Sequence, residues 1–526
     1  MSVAVQNRPH VDRPAHLVRL PELVRHVVAS GGARATIRSP LDLEPIGELP
    51  RSRAEDVRTA AEQARRVQED WAQRPIADRA AVFLRFHDLL LERQEEALDL
   101  IQLESGKSRL HAYEEVADAA IVARHYAVRA QEFLTPKPRR GAVPGLTQTW
   151  EYRHPKGVVG VIAPWNYPLS MGVTDAIPAL IAGNAVVEKP DSQTPFTLLW
   201  ALDLMREAGL PEGLYAVVYG DGATLGPPLF DVSDYLQFTG STATGRLVAK
   251  EAGTRLTGCS LELGGKNPML VLSDVDLESA VMGAVRGCFA SAGQLCVSIE
   301  RIYVHESIYA RFLSALVAAT KAIRLGTRLD WSYDVGSLAS EKQLRTVESH
   351  VQDAVAKGAK LECGGKRRPD LGPLVYEPTL FTGVKPGMTL YAEETFGPVV
   401  SIYPVGSNHE AVERANDTRY GLSASIWSRD TELARRMATR LQCGTVTINE
   451  TYVAGWASVE APMGGFKDSG LGRRHGDEGI LKYTESQNVT VQRGMPLAPP
   501  KGVPAEAFAR WFTGALKAVK RVPGIR

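Results

Sequence analysis

The stretch GVVGVIAPWNYPLSMGVTDAIPALIAGNAVVEKPDSQTP, residues 157–195, decides the fold of this chain. Two short apolar runs, GVVGVIA and NAVVEK, bracket a segment long enough for helix, and neither run alternates polar with apolar residues. Continuous apolar strands of this kind are covered on both faces, as in parallel sheets whose strands are joined by helices. The rhythm continues downstream with LYAVVYG, DYLQFTG and SLEL, separated by helix-length segments such as TPFTLLWALDLMREAG. A second series, RIYVH, PVVSIYPV, SASIW and GTVTIN, repeats the pattern nearer the C-terminus. The sequence therefore predicts an α/β protein with two doubly wound domains in tandem. Ligands in such sheets sit outside the carboxyl ends of the strands, and a cleft between two such domains is a natural active site.

Upstream, residues 52–134 read as helices. Ser52 and Glu55 form a capping box ahead of DVRTAAEQARRVQEDW, and RAAVFLRFHDLLLERQEEALDLI has apolar residues at helical spacing. TPKPRRGAVPG then breaks the pattern, and TQTWEYRHP alternates with period two as an extended arm. The Pro-containing, polar N-terminal stretch MSVAVQNRPHVDRPAHLVRL predicts a loosely held extension without the apolar core of a secretory signal. No apolar run reaches the length that crosses a bilayer.

Composition narrows the function further. The 526 residues exceed what one core usually serves. The net charge of +1, from 61 basic and 60 acidic residues, leaves nucleic-acid binding without an electrostatic footprint. Cys259, Cys288, Cys296, Cys363 and Cys443 are odd in number and free of CxxC spacing. They predict neither a disulfide framework nor a metal site, and they fit a reducing, cytoplasmic setting.

Several strand ends carry chemistry. GSTATG (Gly240, Ser241 onward) follows YLQFT and opens a helix, where backbone N–H groups and the helix terminus favour a phosphate; glycine can also serve such a turn for geometry alone. YGDGATLG, with Gly222, is a second such turn, and two of them point to a dinucleotide. Lys189 ends NAVVEK within reach of ribose hydroxyls or phosphate, or is simply solvated. Asn166, between two prolines, is a rigid amide donor suited to an oxyanion, or an ordinary Asx turn. Glu262, at the end of SLEL, is a carboxylate tuned as a base or held in an ion pair. Cys296, in CFASAGQLCVSIERIYV, is a nucleophile or a buried small hydrophobe.

PWNYP, ELGGKNP, GQLC, EETFGPV and PMGGFKDSGLGR, in that order, resemble the aldehyde dehydrogenase superfamily from about residue 35 to 490. Glu262 and Cys296 are 34 residues apart, as in that family. The resemblance implies that Cys296 is the catalytic thiolate and Glu262 the base for deacylation. It implies that Asn166 and the Cys296 backbone N–H form the oxyanion site. Trp165, Lys189, Ser192, Gly222, Gly240, Ser241, Glu394 and Phe396 become cofactor contacts, and Cys288 becomes core. It further implies a Rossmann-like cofactor domain (35–136 and 156–262), a catalytic domain (263–479) and a small oligomerisation arm (137–155 and 480–498). Residues 1–34 form an N-terminal extension and 499–526 a tail, and the expected assembly is a homodimer or homotetramer. A glutamate base implies a free acid as product, since CoA-acylating relatives dispense with it.

The cofactor and substrate follow from departures within the motifs. Many NAD-preferring relatives carry glutamate three residues after the lysine; Ser192 stands there and removes the repulsion toward a 2′-phosphate, so NADP is expected, with NAD accepted. Glu188 should point to the other face of its strand. Long stretches around Asn166, Cys296 and GRRHGDEGILKYTESQ are similar to actinobacterial succinate-semialdehyde dehydrogenases. Yet Thr174 occupies the position where better-known semialdehyde enzymes hold an arginine, Asp175 the place of a common lysine, and Arg474 that of a common glutamate. Succinic semialdehyde is the leading substrate, with Arg301, Arg473 or Arg474 as carboxylate partners. A broad range of aliphatic or aromatic aldehydes is the alternative, and an inactive dinucleotide-binding relative is the non-enzyme reading. Finally, PAEAFARWFTGALKAVKRVPGIR forms a basic amphipathic helix that lies weakly on an anionic membrane or packs against its own or a neighbouring subunit.

Overall fold

The computed structural model describes residues 11–14, 20–143, 146–494 and 496–520. The described chain divides into two compact units. The larger comprises the described residues up to Phe133 together with Pro155–Tyr483. It holds a six-stranded and a seven-stranded sheet. The six-stranded sheet runs Gly470–Leu471, Gly258–Glu262, Tyr235–Thr239, Val158–Ile162, Ala185–Lys189, Tyr215–Val217. All neighbours are parallel except Gly470–Leu471, which pairs antiparallel with the strand that ends on Glu262. The five parallel strands are the five apolar runs read from the sequence.

The seven-stranded sheet runs Lys360–Cys363, Thr379–Thr382, Val399–Val405, Ile299–His305, Asn267–Val271, Ser423–Trp427, Thr445–Ile448. Its first pair is antiparallel and the rest parallel. One of its inner strands, Asn267–Val271, is fully buried and begins on Asn-Pro, a turn signal that hides a strand from a reading of pattern.

The helical region contains Ala54–Gln73, Ile76–Glu92, Gln94–Ser105 and Arg109–Leu134. The expected capping box is displaced by one residue. Arg53 is the N-cap, and its N–H donates to Asp56 at 2.7 Å. Ser52 is drawn into tertiary bonds instead, donating to the Val28 carbonyl (2.6 Å) and accepting from Tyr219 N (2.9 Å). The N-terminal extension is less loose than expected where it is described. Leu20 and Leu23 are buried, and Val28 N donates to the Val217 carbonyl at the sheet edge. Residues 1–10 and 15–19 lie outside the described residues.

The smaller unit comprises Leu134–His154 and the described residues from Thr484. Its sheet runs Thr484–Gln492, Thr147–Pro155, Lys137–Arg140. The tail helix spans Ala505–Val519 and buries none of its residues. Phe508, Trp511 and Phe512 cluster on it, with Phe508 and Phe512 stacked 5.7 Å apart. Tail residues 521–526, including Arg521, lie outside the described residues. Among the described residues, no helix is long and apolar enough to cross a membrane.

Candidate active site

The parallel strands of the six-stranded sheet deliver their carboxyl ends to one edge, where the predicted residues gather. Asn166 follows the strand Val158–Ile162, Lys189 ends Ala185–Lys189, Gly240 and Ser241 follow Tyr235–Thr239, and Glu262 ends Gly258–Glu262. A cavity of about 290 Å³ opens there, and its wall includes Asn166, Glu262, Cys296, Glu394, Trp165 and Phe396. Gly240 and Ser241 line it as well, whereas Lys189, Ser192 and Gly222 do not.

Cys296 is half-buried on this wall. Burial, then the neighbouring carboxyls of Glu262 and Glu394, push its thiol up to about 12. Cys288 is different: it is 1% exposed, inside the hydrophobic core of the seven-stranded sheet. Glu262 is also buried, which pushes its carboxyl up to about 7 against the opposing charge of Arg474. Asn166 donates one amide hydrogen to the Gln294 carbonyl at 3.0 Å. An amide carries two such hydrogens, so the second is available to the cavity.

Glu394 accepts from Gly265 N at 2.8 Å, and burial raises its carboxyl to about 8. A side chain at Gly264 would collide with the Glu394 carboxyl, which accounts for glycine there. Phe396 sits at φ +53 and packs edge-on to Trp165, ring centres 5.5 Å apart. Its backbone N–H is held by Glu300 (3.0 Å) and its carbonyl by Gln343 (2.8 Å). Gln343 and Lys342 also line the cavity and carry no signal in the sequence beyond a helix start after Ser340.

The groups at the turns fit a dinucleotide. Lys189 is buried, and among the described residues its ammonium donates only to the adjacent Pro190 carbonyl at 3.0 Å, which leaves it capacity to donate to a ligand. Ser241 caps the helix Thr242–Arg255, and Asp221 caps the helix that starts at Gly222. Ser192 is exposed. Glu188 is turned away as strand alternation requires, fully buried, with Tyr215 donating to it at 2.5 Å. Burial holds its carboxyl well above the ordinary range.

The proposed carboxylate partners are engaged elsewhere. Arg301 donates to the carbonyls of Lys266 (2.8 Å) and Ala415 (2.9 Å). Arg473 donates to the Gly472 carbonyl at 2.7 Å and lies over the Phe466 ring. Arg474 is buried 3.0 Å from Asp175 and donates to Thr174 Oγ1 at 2.6 Å. Lys482 adds a second cation 3.2 Å from Asp175. Burial alone would raise the Asp175 carboxyl, but Arg474 and Lys482 hold it below its ordinary value. The departures at 174, 175 and 474 are thus one connected cluster built on the Arg474–Asp175 ion pair. None of these arginines lines the cavity; Lys342 is the cation on its wall.

Two α/β sheets, a cysteine, an amide and a carboxyl on one cavity, and two glycine turns for a dinucleotide together define a pyridine-nucleotide oxidoreductase that works through a thiol. The aldehyde dehydrogenase family model matches residues 27–489, and the chain belongs to that family. It is an enzyme that oxidises a small aldehyde with NAD(P) through a catalytic cysteine. It is 51% identical over 483 residues to a Mycobacterium tuberculosis protein named "Putative succinate-semialdehyde dehydrogenase [NADP(+)] 2", covering 92% of this chain and 93% of that one. It is 37% identical over 467 residues to the betaine aldehyde dehydrogenase of Bacillus subtilis, covering 86% and 93% of the two chains. Among solved structures, betaine aldehyde dehydrogenase from Staphylococcus aureus with NAD+ superposes with a TM-score of 0.86 at 33% identity, covering 91% and 98%.

Proposed function

We propose that Cys296 is the nucleophile, Asn166 with the Cys296 backbone N–H the oxyanion site, and Glu262 the base in the oxidation of an aldehyde to a free carboxylic acid. The observation that carries this reading is the convergence of the three side chains on one cavity, with Cys288 sealed in the core. With its thiol pushed up to about 12, Cys296 is protonated at neutral pH and needs a base as it attacks. Glu262, near 7, is partly ionised there and can take the proton. As the carbonyl oxygen gains charge, the second Asn166 amide hydrogen and the Cys296 N–H receive it; one such donor is worth about 3–4 kcal/mol. Bound NAD(P) supplies the hydride acceptor. Once that proton has passed on to solvent, the re-ionised Glu262 deprotonates the water that hydrolyses the Cys296 thioester. Lys189, Ser192, Gly222, Gly240, Ser241, Trp165, Glu394 and Phe396 are the groups that would hold the dinucleotide. Paired variants test the nucleophile: Cys296→Ala abolishes NAD(P)H production while retaining dinucleotide binding, and Cys288→Ala does not. The reverse result overturns the assignment.

Succinic semialdehyde is the first substrate to try, because relatives at 51% identity carry its name. The cavity favours a second reading. Tyr167, Met171, Leu295 and Trp456 form an apolar wall, which suits an uncharged aliphatic or aromatic chain. Comparing kcat/KM for succinic semialdehyde, butanal and benzaldehyde decides between them. NADP is preferred and NAD accepted, supported by the serine at 192 and the spare donors of Lys189. The sheet of the smaller unit is the arm of a homodimer or homotetramer, testable by light scattering. The tail helix makes weak contact with an anionic membrane surface, supported by its exposed Trp511 and Leu516 and by its basic Arg510, Lys517 and Lys520. Equal flotation of the full chain and a 1–500 truncation with anionic liposomes refutes it.

A further inference from the structure

We propose that the buried ion pair Lys107–Glu115 positions the Asn166 amide against Cys296, and so acts on the developing oxyanion through Asn166. The proposal rests on the reading of Asn166 as the oxyanion donor. In the sequence, a lysine and a glutamate eight residues apart at a helix junction look like surface charges. In the fold both side chains are sealed, 1% and 0% exposed.

The helix Gln94–Ser105 ends at Gly106, whose φ of +79 turns the chain inward. Lys107 Nζ then donates to Glu115 Oε1 at 2.5 Å and to the main-chain carbonyl of Asn166 at 2.6 Å. The same ammonium lies 3.5 Å from the centre of the Tyr167 ring. The other oxygen of Glu115 accepts from Leu169 N (2.8 Å) and Ser170 N (3.1 Å), the start of the helix that follows Asn166. The pair therefore grips the PWNYP turn at 166 and 167 and the helix after it at 169 and 170. From the opposite side, the Asn166 amide is tied to Gln294, two residues before Cys296. Gln294 is itself fixed, accepting from Ala339 N (2.9 Å) and donating to the Ser291 carbonyl (3.0 Å). Rotation of Asn166 is restrained at both its backbone and its side chain. A buried ion pair contributes little net stability compared with apolar residues of equal volume. What it contributes here is direction: apolar side chains could fill the space but could not hold a carbonyl and two N–H groups.

The test uses Lys107→Met, Glu115→Gln and the double variant Lys107→Met/Glu115→Gln, which leaves no charge buried alone. Glu115→Gln keeps an oxygen for Leu169 and Ser170. Each is assayed for kcat, KM and dinucleotide affinity, in the native and the Asn166→Ala backgrounds. The expected result is a loss of about 10²-fold in kcat, the scale of an ångström misplacement, with dinucleotide affinity unchanged. In the Asn166→Ala background the same changes add almost nothing, because the group they position is gone. A merely structural pair would lower kcat equally in both backgrounds, and that overturns the proposal. Native kcat in the folded pair variants beside a crippled Asn166→Ala also overturns it. Native kcat in Asn166→Ala alone overturns the oxyanion reading and this proposal with it.

Discussion

Replacing Arg474 by methionine removes one partner of a buried ion pair and leaves Asp175 with Lys482 at 3.2 Å and Tyr483 OH at 3.4 Å. Breaking a buried pair costs about 3–5 kcal/mol, and the remaining lysine places the loss at the lower end, about 3 kcal/mol. At about 2 °C per kcal/mol in a long chain, thermal unfolding falls by roughly 6 °C. The same change acts on catalysis. Burial raises the Glu262 carboxyl, and Arg474 is the largest charge opposing that rise. Without Arg474 the carboxyl moves above 7, and the rising limb of kcat against pH moves to higher pH with it. Asp175→Asn removes a charge that raises Glu262, so its limb moves the other way. The doubly inverted variant Asp175→Lys/Arg474→Glu does not restore the native state, because Lys482 would then face a second lysine. Thermal unfolding at fixed pH and single-turnover thioester hydrolysis across the neutral range read both effects. An Arg474→Met protein that unfolds within about 2 °C of native, with its pH limb unmoved, refutes the reasoning.

Glu262→Gln lowers thioester hydrolysis by about 10²–10⁴-fold and removes the rising limb near pH 7. A carboxyl raised from 4.5 to about 7 favours the fold at low pH and weakens it as pH rises through 7, so Glu262→Gln gains thermal stability relative to native above pH 7. Asn166→Ala lowers kcat by about 10²–10³-fold, with dinucleotide affinity measured by fluorescence unchanged. Ser192→Glu lowers the NADP/NAD ratio of kcat/KM by at least about tenfold, roughly 1.4 kcal/mol; an unchanged ratio removes that position from cofactor choice.

Most of the parallel strands were legible because a strand covered on both faces is chiefly apolar, as Val158–Ile162 is, whereas Asn267–Val271 was masked by its Asn-Pro start. Lys360–Cys363 and Gly470–Leu471 were not, since they are short edge strands defined by partners distant in the chain. The cap at Arg53 rather than Ser52 has the same cause, because Val28 and Tyr219 compete for the serine hydroxyl. Within the site, Cys296, Asn166 and Glu262 stand at strand ends and turns, where local sequence already restricts a side chain. Asp175 and Arg474 each looked like an isolated departure, and only the fold makes them one ion pair. Lys107 and Glu115 carry no pattern at all, since burial of a charge is a property of everything packed around it.

The pairing of Gly470–Leu471 with the strand that ends on Glu262 sets a timetable for synthesis. Until residue 470 emerges, that strand is an open sheet edge, a template for pairing with other chains. The roughly 200 intervening residues take about 10–40 s to translate at about 5–20 residues per second. The cofactor sheet can form early, but the strand carrying the base is closed by almost the last segment of the larger unit. A chain cut short before 470 would therefore retain its cysteine and its dinucleotide turns, lack a fixed base, and expose an adhesive edge exactly where the finished enzyme does its hydrolysis.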